Sequence, residues 1–363
     1  MMSGKSFLIL VTGVLTGTFL TVLAILYNYS VQQHQMGRVP YTQHLPINKN
    51  DSEQDDRGRK YFAPISVDSS TALYSQVRVL CWVMTSPHTL YTKAVHVRET
   101  WGKRCNKILF FSSIEDKDFP AIGLNVQEGR GSLYDKTRQA FQHIWTHYRD
   151  QADWFMKTDD DTFVILENLR FLLKDYDHNQ PMYFGRKFKR YIEQGYMSGG
   201  AGYVLSRAAL NRYAMAMSKR RCPKGYEIED LELGKCLSYI GVKAMDSRDY
   251  RKRETFFPFA PEYHLRPGKI PAESWYWKYI YYPNASGPEC CSDFAISFHY
   301  IEPDMMYVLE YFVYKLNVFG MHQVQQKKDL SNQLPVSNNS LQTDGITTYG
   351  REQTRRRQLV VDN

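Results

Sequence analysis

The chain has 363 residues, 43% of them hydrophobic and 14% aromatic, which is enough apolar material for one large domain or two small ones and excludes a wholly disordered polymer. The formal net charge is +8, spread along the chain apart from short basic runs such as Arg251-Lys252-Arg253 and Arg355-Arg356-Arg357. That balance suits anionic ligands such as sugar nucleotides; nucleic acid is set aside because the N-terminus points to another compartment.

Residues 7–27 carry no charge, and about 20 apolar residues span a bilayer core. Lys5 precedes them, which predicts residues 1–6 as a cytoplasmic tail. The stretch is long for a cleaved signal core and lacks a clear small-x-small cleavage site, so a signal-anchor helix is preferred to a cleaved peptide. Everything beyond it then lies in the secretory lumen. Four Asn-x-Ser sequons agree, at Asn28, Asn50, Asn284 and Asn338. The six cysteines, with no Cys-x-x-Cys pair, agree as well. Proximity along the chain suggests Cys81–Cys105 and Cys222–Cys236 and leaves Cys290 beside Cys291, although six cysteines allow fifteen pairings.

Residues 28–75 are polar and irregular and read as a luminal stem. Residues 76–321 read as the folded domain, and residues 322–363 as a polar, poorly ordered tail. Within the domain, near-continuous apolar runs predict buried strands over 77–84 and 107–111, and a further strand over 154–156. Helical spacing marks 93–101, 133–147 and 166–173. Strands alternating with helices predict an α/β domain with a mostly parallel sheet, whose ligands sit beyond the carboxyl ends of the strands.

One such end carries Asp159-Asp160-Asp161. Repulsion and desolvation both disfavour three adjacent carboxylates there unless a cation sits among the oxygens. Hard divalent ions prefer oxygen ligands and bridge to phosphates, so the triplet reads as the meeting point of a metal and a diphosphate. A solvated acidic turn accounts for it equally well. His299, in the apolar-aromatic run 294–300, reads on composition as a core histidine with a satisfied hydrogen bond. The acids from Glu227 to Glu232 open a helix predicted over 231–240, and by themselves they read as favouring its dipole. Trp275 and Trp277 fall on one face if their segment is extended, where aromatic rings suit a sugar.

Several segments then occur in a fixed order: Val79 to Thr85, Arg98-Glu99-Thr100-Trp101, Asp159-Asp160-Asp161, Ser198 to Tyr203, Glu229-Asp230-Leu231 and Ser297-Phe298-His299-Tyr300. Over roughly residues 76–321 the set resembles the fringe-like glycosyltransferases, and within them the core 1 β1,3-galactosyltransferase branch. The resemblance implies a GT-A nucleotide-diphospho-sugar transferase fold in a single-pass type II protein of the Golgi membrane, with its catalytic domain luminal. It implies an inverting, Mn²⁺-dependent transfer of galactose from UDP-galactose to the 3-hydroxyl of GalNAc on Ser or Thr of glycoproteins. A homodimer and a dedicated chaperone are further partners it implies. Two alternatives stay open: another β1,3-glycosyltransferase of the family, or an inactive chaperone-like paralogue. The latter lacks an intact acidic triplet, whereas this chain keeps all three acids.

By the same resemblance, Asp159, Asp161 and His299 are the metal ligands. Thr85, Arg98, Asp159 and Asp160 belong to the nucleotide site, with Arg98 facing phosphate. Asp230 is the catalytic base, with Glu229 as the alternative. Trp275, Gly199 and Gly200 face the acceptor, glycine permitting close approach to a ligand.

Overall fold

The computed structural model describes residues 67–222 and 228–318. The apolar segment 7–27, most of the stem, the tail from 322 and the sequons at Asn28, Asn50 and Asn338 lie outside the described residues. Among the described residues no helix is long and apolar enough to cross a membrane.

Seven strands form the main sheet: β1 (Val79–Met84), β2 (Lys107–Ser112), β3 (Ala121–Gly123), β4 (Trp154–Asp159), β6 (Met182–Gly185), β9 (Tyr203–Ser206) and β10 (Lys243–Ala244). A second sheet joins β5 (Phe163–Val164), β11 (Phe256–Phe257) and β12 (Ser297–Phe298), and β7 (Lys187–Phe188) pairs with β8 (Tyr196–Met197). The main sheet runs in the order β10-β6-β9-β4-β1-β2-β3. Its pairs are parallel except at β9, which runs antiparallel to both β4 and β6. The sheet is therefore mixed but mostly parallel, as the alternation of strands and helices implies.

The continuous apolar runs of β1 and β4 have a direct cause: both faces of the sheet are covered. Val79, Cys81 and Val83 join one apolar cluster with Leu166, Leu169 and Leu173 of the helix Leu166–Leu173. Leu80, Trp82 and Met84 join the other, with Phe141 and Ile144 of the helix Leu133–Tyr148 and Tyr213 of the helix Arg207–Ser218. Trp82 meets Phe111 and Phe141 edge-on at 5.8 and 5.1 Å, contacts each worth about 0.5–1.5 kcal/mol beyond burial. The disulfides are Cys81–Cys105, Cys222–Cys236 and Cys290–Cys291, the pairing that chain proximity suggests.

Four segments depart from the sequence reading. Residues 67–76, read as the end of the stem, form the helix Val67–Gln76, whose Leu73 packs on the core. The helix expected over 93–101 breaks into three short turns, Leu90–Ala94, Val95–Glu99 and Trp101–Arg104. The apolar run 294–300 narrows to the two-residue β12, with Phe298 packed on Phe257 and the Cys290–Cys291 pair. Trp275 and Trp277 do not share a face, since Trp275–Tyr279 is a helical turn that buries Tyr276 between them.

Candidate functional site

The parallel register of β1 and β4 sets Met84 opposite Asp159, so both strands end at one level. Thr85, one residue further on, donates its hydroxyl to Asp160 Oδ2 at 2.8 Å. The chain then leaves the main sheet, and after Thr162 it enters β5, which pairs with β12. That pairing delivers His299, the residue after β12, to the acids. Its Nε2 lies 3.1 Å from Asp161 Oδ1 and 3.6 Å from Asp159 Oδ2. One ligand atom from each of Asp159, Asp161 and His299 falls within 4.8 Å of the others.

The electrostatics differ sharply within the triplet. Burial pushes the Asp160 carboxyl up to about 6 against the pull of hydroxyls from Thr89 and Thr85. Burial works the same way on Asp161, but His299 and Lys93 outweigh it and hold its carboxyl down at about 2. Lys93 Nζ reaches Asp161 Oδ2 at 3.0 Å. The fully buried Lys157 places its ammonium 2.6 Å from Asp159 Oδ1. Burial works to neutralise Lys157, yet the charges of Asp159 and Glu229 raise it further above the ordinary lysine range. Each metal-facing carboxylate thus has one oxygen tied to a lysine and the other turned toward His299. Two carboxylate oxygens and an imidazole nitrogen converging in this way form a donor set that fits a hard to borderline divalent cation such as Mn²⁺.

Opposite the triplet, the helix Glu229–Tyr239 begins with two acids of different standing. Glu229 is buried and saturated: its Oε1 accepts from Thr137 Oγ1 at 2.8 Å and from the Tyr203 hydroxyl at 2.6 Å. Asp230 faces the cavity and accepts the Gly199 N–H at 2.8 Å on Oδ2. Burial, then the charge of Glu229, pushes its carboxyl up to about 6, although the Gly199 and Leu231 amides and Lys157 pull the other way.

Two glycines allow these groups to meet. A Cβ on Gly200 would lie 2.1 Å from His299 Cε1, and one on Gly199 would lie 2.8 Å from Glu229 Oε2. The Gly200→Ala variant is therefore expected to push the imidazole off the acids and weaken divalent-cation binding by roughly tenfold, as losses of ligand support typically do. Manganese titration followed by calorimetry checks this, and an unchanged affinity excludes the tight packing as a constraint.

Thr85, the three acids, Gly199, Gly200, Asp230 and His299 all line one cavity of about 450 Å³. Arg98 and Trp275 are not among the residues lining it. Arg98, expected at the phosphates, lies over the Phe119 ring at 4.5 Å and pairs with Glu99 at 3.2 Å, because its helical turn directs it along the surface. Trp275 is half exposed and packs at a tilt against Phe259 at 5.9 Å, which in turn stacks on Tyr300 at the cavity rim. Sequence reasoning missed Lys157 and Lys136. Lys136 is also buried, and its ammonium holds Thr85 O at 2.9 Å and both Glu128 oxygens at 2.8 and 2.9 Å. The signal for Lys157 was available, since a lysine inside an apolar strand two residues before an aspartate shares that aspartate's face.

The comparisons fit this site. The model of the Fringe-like family matches residues 78–263. The chain is 52% identical over 270 residues to the Xenopus laevis glycoprotein-N-acetylgalactosamine 3-beta-galactosyltransferase 1, covering 74% of this chain and 75% of that protein. It is 26% identical over 189 residues to a Mus musculus beta-1,3-glucosyltransferase, covering 48% of this chain and 38% of that one. A Drosophila galactosyltransferase solved with manganese, UDP-Gal and xylobiose superposes at a TM-score of 0.31 with 15% identity, covering 52% of this chain and 73% of that one, a likeness too loose to build on.

Proposed function

Because the chain belongs to the Fringe-like family, we propose that it transfers galactose from UDP-galactose to the 3-hydroxyl of GalNAc α-linked to Ser or Thr of glycoproteins, forming the core 1 O-glycan. The observation that carries this reading is the pairing of two features across one cavity: the Asp159, Asp161 and His299 donor set on one wall and the raised Asp230 carboxyl on the other. A GT-A arrangement, a luminal Golgi location behind a membrane anchor at residues 7–27, a homodimer and a dedicated chaperone belong to the same reading.

Asp159, Asp161 and His299 are the residues that would hold Mn²⁺. When bound, the ion supplies positive charge against the leaving diphosphate. Lys136 and Thr85 form the neighbouring wall, with Asp160 fixed by the Thr85 hydroxyl for contact with the nucleotide. Turning an α-linked donor into a β-linked product requires one in-line displacement, so one base suffices and no enzyme nucleophile is needed. Asp230 fills that role: its carboxylate faces the cavity, and a carboxyl near 6 is ionised at neutral pH yet basic enough to receive a proton as the acceptor oxygen bonds to carbon. Glu229 is the poorer base, because Thr137 and Tyr203 hold its Oε1 and the Lys157 ammonium lies 3.8 Å from its Oε2. Trp275 extends the acceptor side from Tyr300 through Phe259, offering an aromatic face to a sugar or its peptide.

The test is direct. Incubated with UDP-galactose, Mn²⁺ and a GalNAc-bearing peptide, the protein is expected to add one hexose, read by mass spectrometry and removable by β-galactosidase. Transfer from UDP-glucose in place of UDP-galactose would reassign the donor; no transfer with any metal would overturn the reading.

A further inference from the structure

The two walls of the cavity are joined through one side chain. Lys157 Nζ contacts Asp159 Oδ1 at 2.6 Å, the Gly199 carbonyl at 3.3 Å and Glu229 Oε2 at 3.8 Å. Gly199 in turn donates its own N–H to Asp230 Oδ2 at 2.8 Å. The chain of contacts therefore runs from a metal-facing carboxylate, through a buried ammonium, to the residue whose amide holds the base. Lys157 is 2% exposed and lies 5.8 Å from the Tyr203 ring centroid. Lys93, by contrast, reaches Asp161 at 3.0 Å, is 35% exposed along its side chain, and makes no contact with Gly199 among the bonds described.

We propose that Lys157 is a positioning residue that sets the metal-facing oxygen of Asp159 and the Gly199 peptide under Asp230 at the same time, so that the cation site and the base are aligned by one ammonium. The inference rests on the galactosyltransfer reading for its catalytic half. Its structural half, the hold on Asp159, does not depend on which sugar is transferred. One oxygen of Asp159 is kept on Lys157, which leaves the other to face His299 and the cation. The Gly199 carbonyl is held by Lys157 while the N–H of the same residue, in the preceding peptide unit, donates to Asp230, so both contacts pass through the position of one residue. Tyr203 and Thr137 complete the frame by fixing Glu229, the third group on Lys157.

Positioning and simple electrostatics predict opposite signs. A lysine that acts only through its charge repels a divalent cation, so its removal would tighten cation binding. A lysine that orients a ligand supports binding, and losing such support typically weakens affinity by 10–100-fold. Lys157→Met, which keeps length and burial but removes the donor, is the variant of choice, with Lys93→Met as comparator. In the full chain, calorimetric titration of Mn²⁺ in the presence of UDP is expected to show roughly tenfold weaker binding for Lys157→Met. At saturating Mn²⁺ its kcat is expected to stay about 10–100-fold low with acceptor KM within about twofold, because Gly199 and Asp230 remain misaligned. Lys93→Met is expected to recover kcat at saturating Mn²⁺.

Tighter or unchanged Mn²⁺ binding by Lys157→Met overturns the proposal, and so does full recovery of its kcat at saturating Mn²⁺. If Lys157→Met does not fold, Lys157→Arg takes its place. It keeps the charge but not the single tetrahedral donor, and the same two deficits are expected in milder form; wild-type values for both overturn the proposal. A wild-type protein that transfers no galactose removes the functional reading alone, since the calorimetric arm still decides whether Lys157 orients Asp159.

Discussion

Asp230→Asn is expected to bind UDP-galactose as the parent does and to turn over about 10²–10⁴-fold more slowly, the range for loss of a positioned general base. Calorimetry for donor binding and initial rates on a GalNAc-bearing peptide separate the two effects; near-normal turnover would move the base elsewhere. The pH dependence follows from the same carboxyl. With Asp230 up at about 6, the active ionised form is lost as pH falls through that value, so the parent rate should decline below about pH 6. The residual rate of the variant should show a shallower fall there, the remainder belonging to Asp160, whose carboxyl is also up at about 6. Stability runs the other way. The folded state binds this proton more tightly than the unfolded chain, where the group has its ordinary value of 3.8, so folding loses stability as pH rises from near 4 through 6. At neutral pH the ionised, half-buried Asp230 therefore costs stability, on the order of 1 kcal/mol after allowing for partial solvation. Asparagine removes the buried charge and keeps an oxygen for the Gly199 amide, but its nitrogen then faces the Leu231 N–H that Asp230 Oδ1 accepts at 2.8 Å. The variant should still unfold in one cooperative thermal transition, which sets this loss of activity apart from one caused by unfolding.

Asp161→Ala has the other large effect. Mn²⁺-supported UDP binding should fall by roughly 100-fold or more, because the variant loses a direct ligand and not merely a ligand's support. The carboxylate lost is held down at about 2, and it is the shared partner of His299 and Lys93. Its contribution to stability is present above its ordinary value of 3.8 and disappears as pH falls through about 2, so at neutral pH the fold loses this pairing. The loss stays modest because Lys93 is partly exposed and water can solvate it. Circular dichroism should show a folded protein, and calorimetry should show UDP affinity that no longer responds to Mn²⁺. Unchanged Mn²⁺-dependent affinity would remove Asp161 from the ligand set.

Much of this architecture was legible in the chain. The runs through Val79–Met84 and Lys107–Ser112 declared themselves because strands covered on both faces need no polar alternation. The helix Leu166–Leu173 declared itself through its leucines. Asp159 to Asp161 stood out as three adjacent acids at the end of an apolar strand, but a solvated acidic turn explained them as well as a cation did until the ordered set of motifs was read with them. His299 did not stand out in this way: within an aromatic run it reads as a core residue, and only the pairing of β5 with β12 brings it to the acids. The preference for Asp230 over Glu229 came from resemblance, and what supports it is visible only in three dimensions, where Thr137 and Tyr203 reach from distant elements to Glu229 Oε1. Arg98, placed at the nucleotide by resemblance, lies over Phe119 on a short helical turn and does not line the cavity. The shared face of Trp275 and Trp277 required an extended segment, and the fold makes that segment a helical turn.

Strands β4 and β5 lie three residues apart and yet belong to different sheets, and those three residues are Asp160, Asp161 and Thr162. The acids sit on the seam of the molecule, with one donor just before the crossing, one within it and the imidazole on the far side. A cation held by these three residues would tie the two layers together as well as serve the proposed transfer. Its occupancy would then be linked to the stability of the fold, so a compartment poor in that ion would hold a looser protein.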